Sequence, residues 1–350
     1  MCSVHLCAYE CLIILVMKKK TNDIIEIVEP NEAKPKKKIK WWKLSIEIIG
    51  GLALVGVGVY AGIFVGQMAF VQKRDYSKFK VEKQDYTSVY SRYQSLNPSS
   101  YYSYFKEAEL INIGLLNISK SEHFYAVTRG NVLANVNGIK QEQDILQTFI
   151  KNGSNYFEED ISYGIVKTGL RFYQDSNNEL TIYHTSSISK TGENESGTLY
   201  QGNYKYGEEG EDKTILSSQE FTDVWGRETL SDSIVYYIND QTVISASKSK
   251  ETNGDIKVSV ELEPILSVLK YVKQMKNTGG LSQDPIFYSV KIDFVLDKDL
   301  FIKSFTTDES YQAVSKIFPV PAESHGTLTM EYFYETREIP SMEEITNFDK

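Results

Sequence analysis

The sequence predicts an α+β protein: a single N-terminal transmembrane helix, then an outer domain built on a long antiparallel sheet covered by a few helices. Three observations predict it. The uncharged run Ile48–Phe70 has 23 residues, and a helix needs about 20 to cross the hydrocarbon core. Asn-Gly pairs at 137–138, 152–153 and 253–254 separate β-prone runs, and Asn-Gly supplies the positive φ that tight hairpin turns require. Three later runs alternate apolar and polar residues with a period of two, the pattern of a sheet with one wet face.

Residues 1–44 read as a cytoplasmic tail. Its opening, MCSVHLCAYECLIILVM, is apolar and holds all three cysteines, Cys2, Cys7 and Cys11. Met17 is followed directly by three lysines. Two readings stand: translation starts at Met17 and 1–16 are a mis-assigned start, or they form a palmitoylated, membrane-apposed leader. Before the span, Lys36, Lys37, Lys38, Lys40, Trp41, Trp42 and Lys43 form a basic and aromatic anchor. Dense lysine marks the cytoplasmic flank, and tryptophan favours the interface. The far flank mixes Lys73 and Arg74 with Asp75, Glu82 and Asp85. The N-terminus is therefore expected inside and the C-terminal domain outside, in a single-pass cell-membrane protein.

The span itself covers 45–71. A signal peptide has an apolar core of about 7–15 residues and a small-x-small cleavage site; this core is longer, and FVGQMA offers no such site. Within the span, Gly58, Gly62 and Gly66 recur every four residues on one helix face. They read either as a packing face for a homodimer or another membrane protein, or as the ordinary abundance of glycine in membrane helices.

Charge and cysteine usage exclude several functions. The chain carries −9 overall. Nine lysines and five acids give residues 1–44 a charge of +4, and Glu47 adds one negative, so 72–350 carries −12. An acidic outer domain argues against nucleic acid as a partner. The same 279 residues contain no cysteine, which removes cysteine catalysis and cysteine-bound zinc. It also points to a Gram-positive bacterium that does without disulfides in exported proteins. In such a host the sequons at Asn117, Asn152 and Asn194 have no meaning as glycan sites.

The outer chain follows in order. Residues 72–98, dotted with Tyr76, Tyr86, Tyr90 and Tyr93, read as a polar stalk that lifts the domain from the bilayer. The domain runs from 99 to 340, with a tail at 341–350. Asn97-Pro-Ser-Ser opens a helix in which Phe105, Ala108, Ile111 or Asn112, and Leu115 share a face. Strands begin at HFYAVTRGNVLANV. Ser217 and Glu220 form a capping-box pattern ahead of FTDVWG, which Gly226 ends. Pro264 suits a first helical position, and Ile265, Val268 or Leu269, Val272 and Met275 form a sheet-facing stripe that Gly279-Gly280 ends. The acidic, glycine-rich stretch near 194–213 reads as a solvated loop or β-excursion. LDKD at 296–299 reads as a hairpin turn. The clean alternations are DIKVSVEL, PIFYSVKIDFVLD and GTLTMEYFYE.

The runs YYINDQTVISASKSK, IKVSVELEP, YVKQMKNTGGLSQDPIFYSVKIDFVLDKDL and GTLTMEYFYE resemble those of uncharacterised membrane-anchored exported proteins of Gram-positive bacteria. The pattern over 120–340 is also similar to lipoprotein carriers of the LolA/LppX type. That resemblance implies a curled, open half-barrel with helices on its concave face, which holds acyl chains between sheet and helices or serves as an envelope sensor. A tethered domain cannot shuttle freely, so binding in place is the expected role.

No residue set marks a catalyst. His123, His184 and His325 are scattered without metal spacing, and Ser324-His325 lacks a nucleophile-elbow context. There is no P-loop and no dinucleotide-binding glycine pattern. Trp225 reads as a core anchor. The expectation is a non-enzymatic binding domain with no cofactor, whose partners are the bilayer and a lipid or an envelope protein. The alternative is a sensor or interaction module that assembles through its transmembrane helix.

Overall fold

The computed structural model describes residues 72–346 except 83, 137, 165–167, 178, 188–189, 194–198, 203–204, 207–212, 233, 279–280 and 317–319. The anchor lysines, Trp41, Trp42 and the three span glycines lie outside these residues. Among the described residues no helix is long and apolar enough to cross a membrane.

Fourteen strands run in chain order: β1 (His123–Val136), β2 (Ile139–Asn152), β3 (Asn155–Tyr163), β4 (Thr168–Gln174), β5 (Glu179–Ser187), β6 (Lys190–Glu193), β7 (Leu199–Gly202), β8 (Lys205–Tyr206), β9 (Lys213–Ser217), β10 (Val243–Lys250), β11 (Ile256–Leu262), β12 (Ile286–Leu296), β13 (Ile302–Val314) and β14 (Pro321–Phe333). Twelve form one antiparallel sheet in the order β10-β11-β12-β13-β14-β1-β2-β3-β4-β5-β8, with β9 also on β5. Its two edges do not meet, so the sheet is open. β6 and β7 pair separately within the predicted β-excursion. The late meander β10–β14 joins the early meander β1–β5 through one seam, β14 against β1, from Tyr125↔Phe333 to Asn135↔Glu323.

The Asn-Gly turns fall where the sequence places them, between β1 and β2, β2 and β3, and β10 and β11. The LDKD turn joins β12 to β13, and the Asp297 carboxylate accepts from the Asp299 and Phe301 amides. Alternation sets the faces. In β11, Ile256, Val258, Val260 and Leu262 are buried, while Lys257 and Ser259 are exposed.

One face is covered by helices. The predicted helix from 97 is broken into a short turn, α2 (Tyr101–Tyr104) and α3 (Glu107–Lys120). The break comes at Lys106, which is extended and serves as N-cap to α3, the Glu109 side chain reaching back to its amide. α4 (Ser218–Trp225) has the predicted box, with Glu220 bonded to the Ser217 amide at 2.8 Å and Gly226 in the left-handed conformation as its cap. α5 (Leu269–Thr278) starts later than Pro264 predicts. Residues 264–268 form turns, and the Glu263 carboxylate takes the Ile265 and Leu266 amides in place of a helix start.

Residues 72–98 are not a free stalk. Tyr76 and Val89 are buried in the main apolar core. α1 (Thr87–Ser95) carries Tyr90, which donates to Asn117, and Tyr93, which donates to the Asp299 carbonyl. Tyr90 and Tyr93 each place an aromatic body on the core and a hydroxyl on a polar partner, and Tyr76 buries its ring, so the segment docks.

The outer face is wet over β10–β14 and strapped elsewhere. After β14 the chain recrosses the early meander, and the last described element is α6 (Met342–Thr346). Fully buried Ile345 packs with Ile150, Phe157, Ile161 and Tyr183. Arg171 donates to the Glu344 and Ile345 carbonyls at 2.6 and 2.7 Å.

Candidate functional site

The covered face divides into a filled end and a less buried end. At the filled end α3 lies directly on the sheet. Leu110, Ile111, Ile113 and Ile118 are fully buried. A Cβ at Gly114 would stand 2.7 Å from Ile302 Cγ1, so nothing fits between α3 and β13. The sequence reading of a ligand held under the helices therefore fails here, because close packing already fills the space.

Two buried polar clusters follow toward the other end. On β13, Phe305, Thr307, Glu309 and Tyr311 point to the covered face. Glu309 is fully buried. Its carboxylate accepts from Tyr236 at 2.6 Å and from Tyr271 on α5 at 3.0 Å. Burial pushes the Glu309 carboxyl up to about 7, against which the two tyrosine bonds work.

The second cluster lies on β3, whose Tyr156, Glu158 and Asp160 share the covered face. Fully buried Glu158 takes two bonds of 2.6 Å from Arg227, the residue after the α4 cap. Tyr156 donates to Glu158 at 2.6 Å. The Arg227 guanidinium also lies 5.3 Å from the Phe221 ring centre. Asp160 accepts from Gln147 at 3.0 Å. Burial, together with the Glu158 charge, raises the Asp160 carboxyl above the usual carboxylate range.

Between these clusters runs an apolar stripe less buried than its surroundings. Leu328 on β14, Gly130 on β1 and Ile145 on β2 form one paired row, with Val132 two residues further along β1 on the same face, and all are half-buried. On its β3 side the stripe ends at a polar rail, Gln143 bonded to Ser162 and Gln147 bonded to Asp160. An apolar floor beside a polar edge matches an amphipathic ligand: the floor takes hydrocarbon and the rail takes a polar head.

Comparison with known proteins adds a fold likeness of low score. No family model and no curated protein matches the sequence. A DUF1329 family protein from Desulfovibrio piger ATCC 29098 is 9% identical, over 69% of this chain and 95% of its own, with a TM-score of 0.22. MucB in complex with MucA(peri) is 8% identical, covering 65% of this chain and 93% of its own, at 0.10. GphF Dehydratase 1 is 8% identical, covering 64% and 82%, at 0.11. At these scores the site must be argued from its own residues.

The residues singled out in the sequence stay apart. His123 lies 3.9 Å from Glu122, His184 lies 3.4 Å from Thr214, and His325 lies 3.7 Å from Asp308. Among the described residues no group of three or more His, Cys, Asp or Glu is placed to hold a metal ion. Trp225 is buried against Phe172 and Phe221, at 5.1 and 5.6 Å between ring centres. Sequence reasoning missed Glu309, Glu158, Asp160 and Arg227. For Glu309 a signal existed, since it shares the inward phase of Phe305 and Tyr311. For β3 none did, because both phases of NYFEEDISY mix apolar and acidic residues.

Proposed function

We propose that the protein is a membrane-anchored binding domain on the outer side of the cell membrane, built on a LolA/LppX-type open sheet, and that it acts by holding a lipid rather than by catalysis. The ligand lies on the half-buried stripe of Leu328, Val132 and Ile145, with its polar end at Gln143, Ser162 and Asp160. One observation carries this reading: Leu328, Val132 and Ile145 are only half-buried on a face whose other apolar side chains are largely buried. A monomer gains nothing from leaving such a stripe open unless something covers it.

The test uses the full chain extracted from membranes. Lipid should co-purify with it, and a fluorescent fatty acid should bind in competition with that lipid. Ile145→Trp fills the stripe at a half-buried position. It should abolish probe binding while leaving the melting temperature near that of the parent. A parent protein free of lipid, with probe uptake unaffected by Ile145→Trp, removes the proposal.

A further inference from the structure

We infer that one end of the sheet, the end to which β12 opens and at which β1 closes, lies against the bilayer surface, so that the stripe loads from membrane phospholipid directly. The inference rests on the reading of Ile48–Phe70 as a spanning helix and of the stripe as a lipid site.

Three observations converge on that end. The first is where the chain enters. Gln72 follows the predicted span at once, and its carbonyl accepts from Gln283 at 3.2 Å. Arg74 donates to the Phe287 carbonyl at 3.3 Å, and Tyr76 is buried. The segment read as a spacer is thus tied down from its first residues, beside the start of β12. No length of free chain remains to lift the domain away.

The second is register. Ile286 at the start of β12 pairs with Gln312, Gln312 with Glu323, and Glu323 with Asn135 near the end of β1. Val132 lies three rows from the entry row, and the row of Leu328, Gly130 and Ile145, which continues to Thr307 and Ile292, lies at mid-strand, so the stripe reaches from the middle of the sheet toward the entry end. The rows sealed by α3, with Leu296 and Ile302, are at the other. β12 has 11 residues, which separates the two ends by about 35 Å. Only one end can touch the membrane.

The third is the polarity of the ends. Ile139 at the β1–β2 turn is 54% exposed and Ile244 at the start of β10 is 61% exposed. Tyr288 and Leu133 are exposed in neighbouring rows. The opposite end carries polar turns, with exposed Glu251, Thr252, Asn253, Gly153, Ser154 and Lys298. Exposed Tyr104, Phe333 and Ile215 lie away from the entry end; Arg92 lies over Tyr104, Phe333 stacks on Tyr125, and Ile215 stands on β9 beside β5. Exposed isoleucine and tyrosine at a tethered end suit the headgroup–acyl boundary, where apolar area is buried and the tyrosine hydroxyl stays wet.

The experiment uses the full chain in phosphatidylcholine–phosphatidylglycerol nanodiscs, with Cys2, Cys7 and Cys11 replaced by serine. Ile139→Cys or Lys298→Cys then carries a single bimane label. Nitroxide on the lipid acyl chain near the headgroup should quench the label at 139 and leave the label at 298 bright. Equal quenching at both, or quenching at 298 alone, overturns the inference. Flotation with vesicles separates the causes. A chain that floats yet shows equal quenching refutes the orientation alone. A chain that fails to float refutes the anchor and the inference together. Retained fatty-acid binding alongside equal quenching leaves the lipid site standing without membrane loading.

Discussion

At the scale of single residues, Glu309 is the group with most consequence. Both tyrosines that bond it come from the covering layer, so its charge state sets how strongly that layer is held to β13. Its carboxyl titrates near 7 in the fold, against a usual 4.5. The folded state therefore binds more protons than the unfolded state between those values, and stability falls as pH rises from about 4.5 to 7. The shift corresponds to roughly 3 kcal/mol. Glu309→Gln keeps a shape that can accept one tyrosine bond but cannot ionise. Denaturant unfolding of parent and variant at pH 5 and pH 8 should show the difference. The variant should gain on the parent by most of that amount at pH 8, and the two should agree more closely at pH 5. A pH-independent gap between them would show that Glu309 stays ionised in the fold. Asp160 shifts in the same direction, so the comparison of parent with variant, rather than the raw pH profile, isolates Glu309.

At the scale of elements, the short C-terminal helix is a strap whose hold can be measured. Five residues of helix are too few to persist alone. α6 stays because Ser341 and Glu344 cap each other, Arg171 takes its last carbonyls, and Ile345 fills a site among Ile150, Phe157, Ile161 and Tyr183. Ile345→Ala removes the only fully buried side chain of α6, a loss of about 2–5 kcal/mol for such sites. The strap should then open without the sheet. Amide exchange at Ile345, whose N–H bonds Ser341, should rise by a factor of ten or more on a scale where about 1.4 kcal/mol is tenfold, while exchange in β11 stays unchanged. Parallel acceleration in β11 would mean that the strap is part of the cooperative sheet. The strap was not legible in the sequence, because 341–350 is polar and its single anchoring isoleucine has no periodic neighbours. What could be read was whatever local chemistry decides alone: the Asn-Gly turns, the Ser217–Glu220 box with its Gly226 stop, and the alternation in β11, β12 and β14. What could not be read depends on distant partners. Tyr90 and Tyr93 look like linker residues until Asn117 and Asp299 supply hydrogen bonds. Glu158 and Asp160 look like a solvated acidic patch until Arg227 and Gln147 arrive from other elements.

At the scale of the whole molecule, the sheet is continuous only because β1 and β14 meet. Residues about 190 to 210 positions apart pair along that seam, so the early and late meanders share one sheet. Gly130 makes the seam possible. Its φ is +155°, and a Cβ there would stand 2.1 Å from the Thr327 carbonyl oxygen, a collision with backbone rather than with a side chain that could turn aside. Gly130→Ala must then either part the strands or strain them, at about 2–3 kcal/mol. For a domain of this size that lowers the melting midpoint by roughly 5–10 °C. The informative reading is which parts melt together. Trp225 is the only tryptophan after Trp42 in the sequence, and it reports on the early meander through Phe172 of β4. Protection of amides in β11 reports on the late one. If the seam makes one cooperative unit, both signals shift by the same amount in Gly130→Ala and their transitions coincide. If Trp225 fluorescence changes while β11 stays protected, the two meanders are separate folding units joined at a weak line. The stripe, whose floor crosses that line from Leu328 to Val132, would then be divided between them.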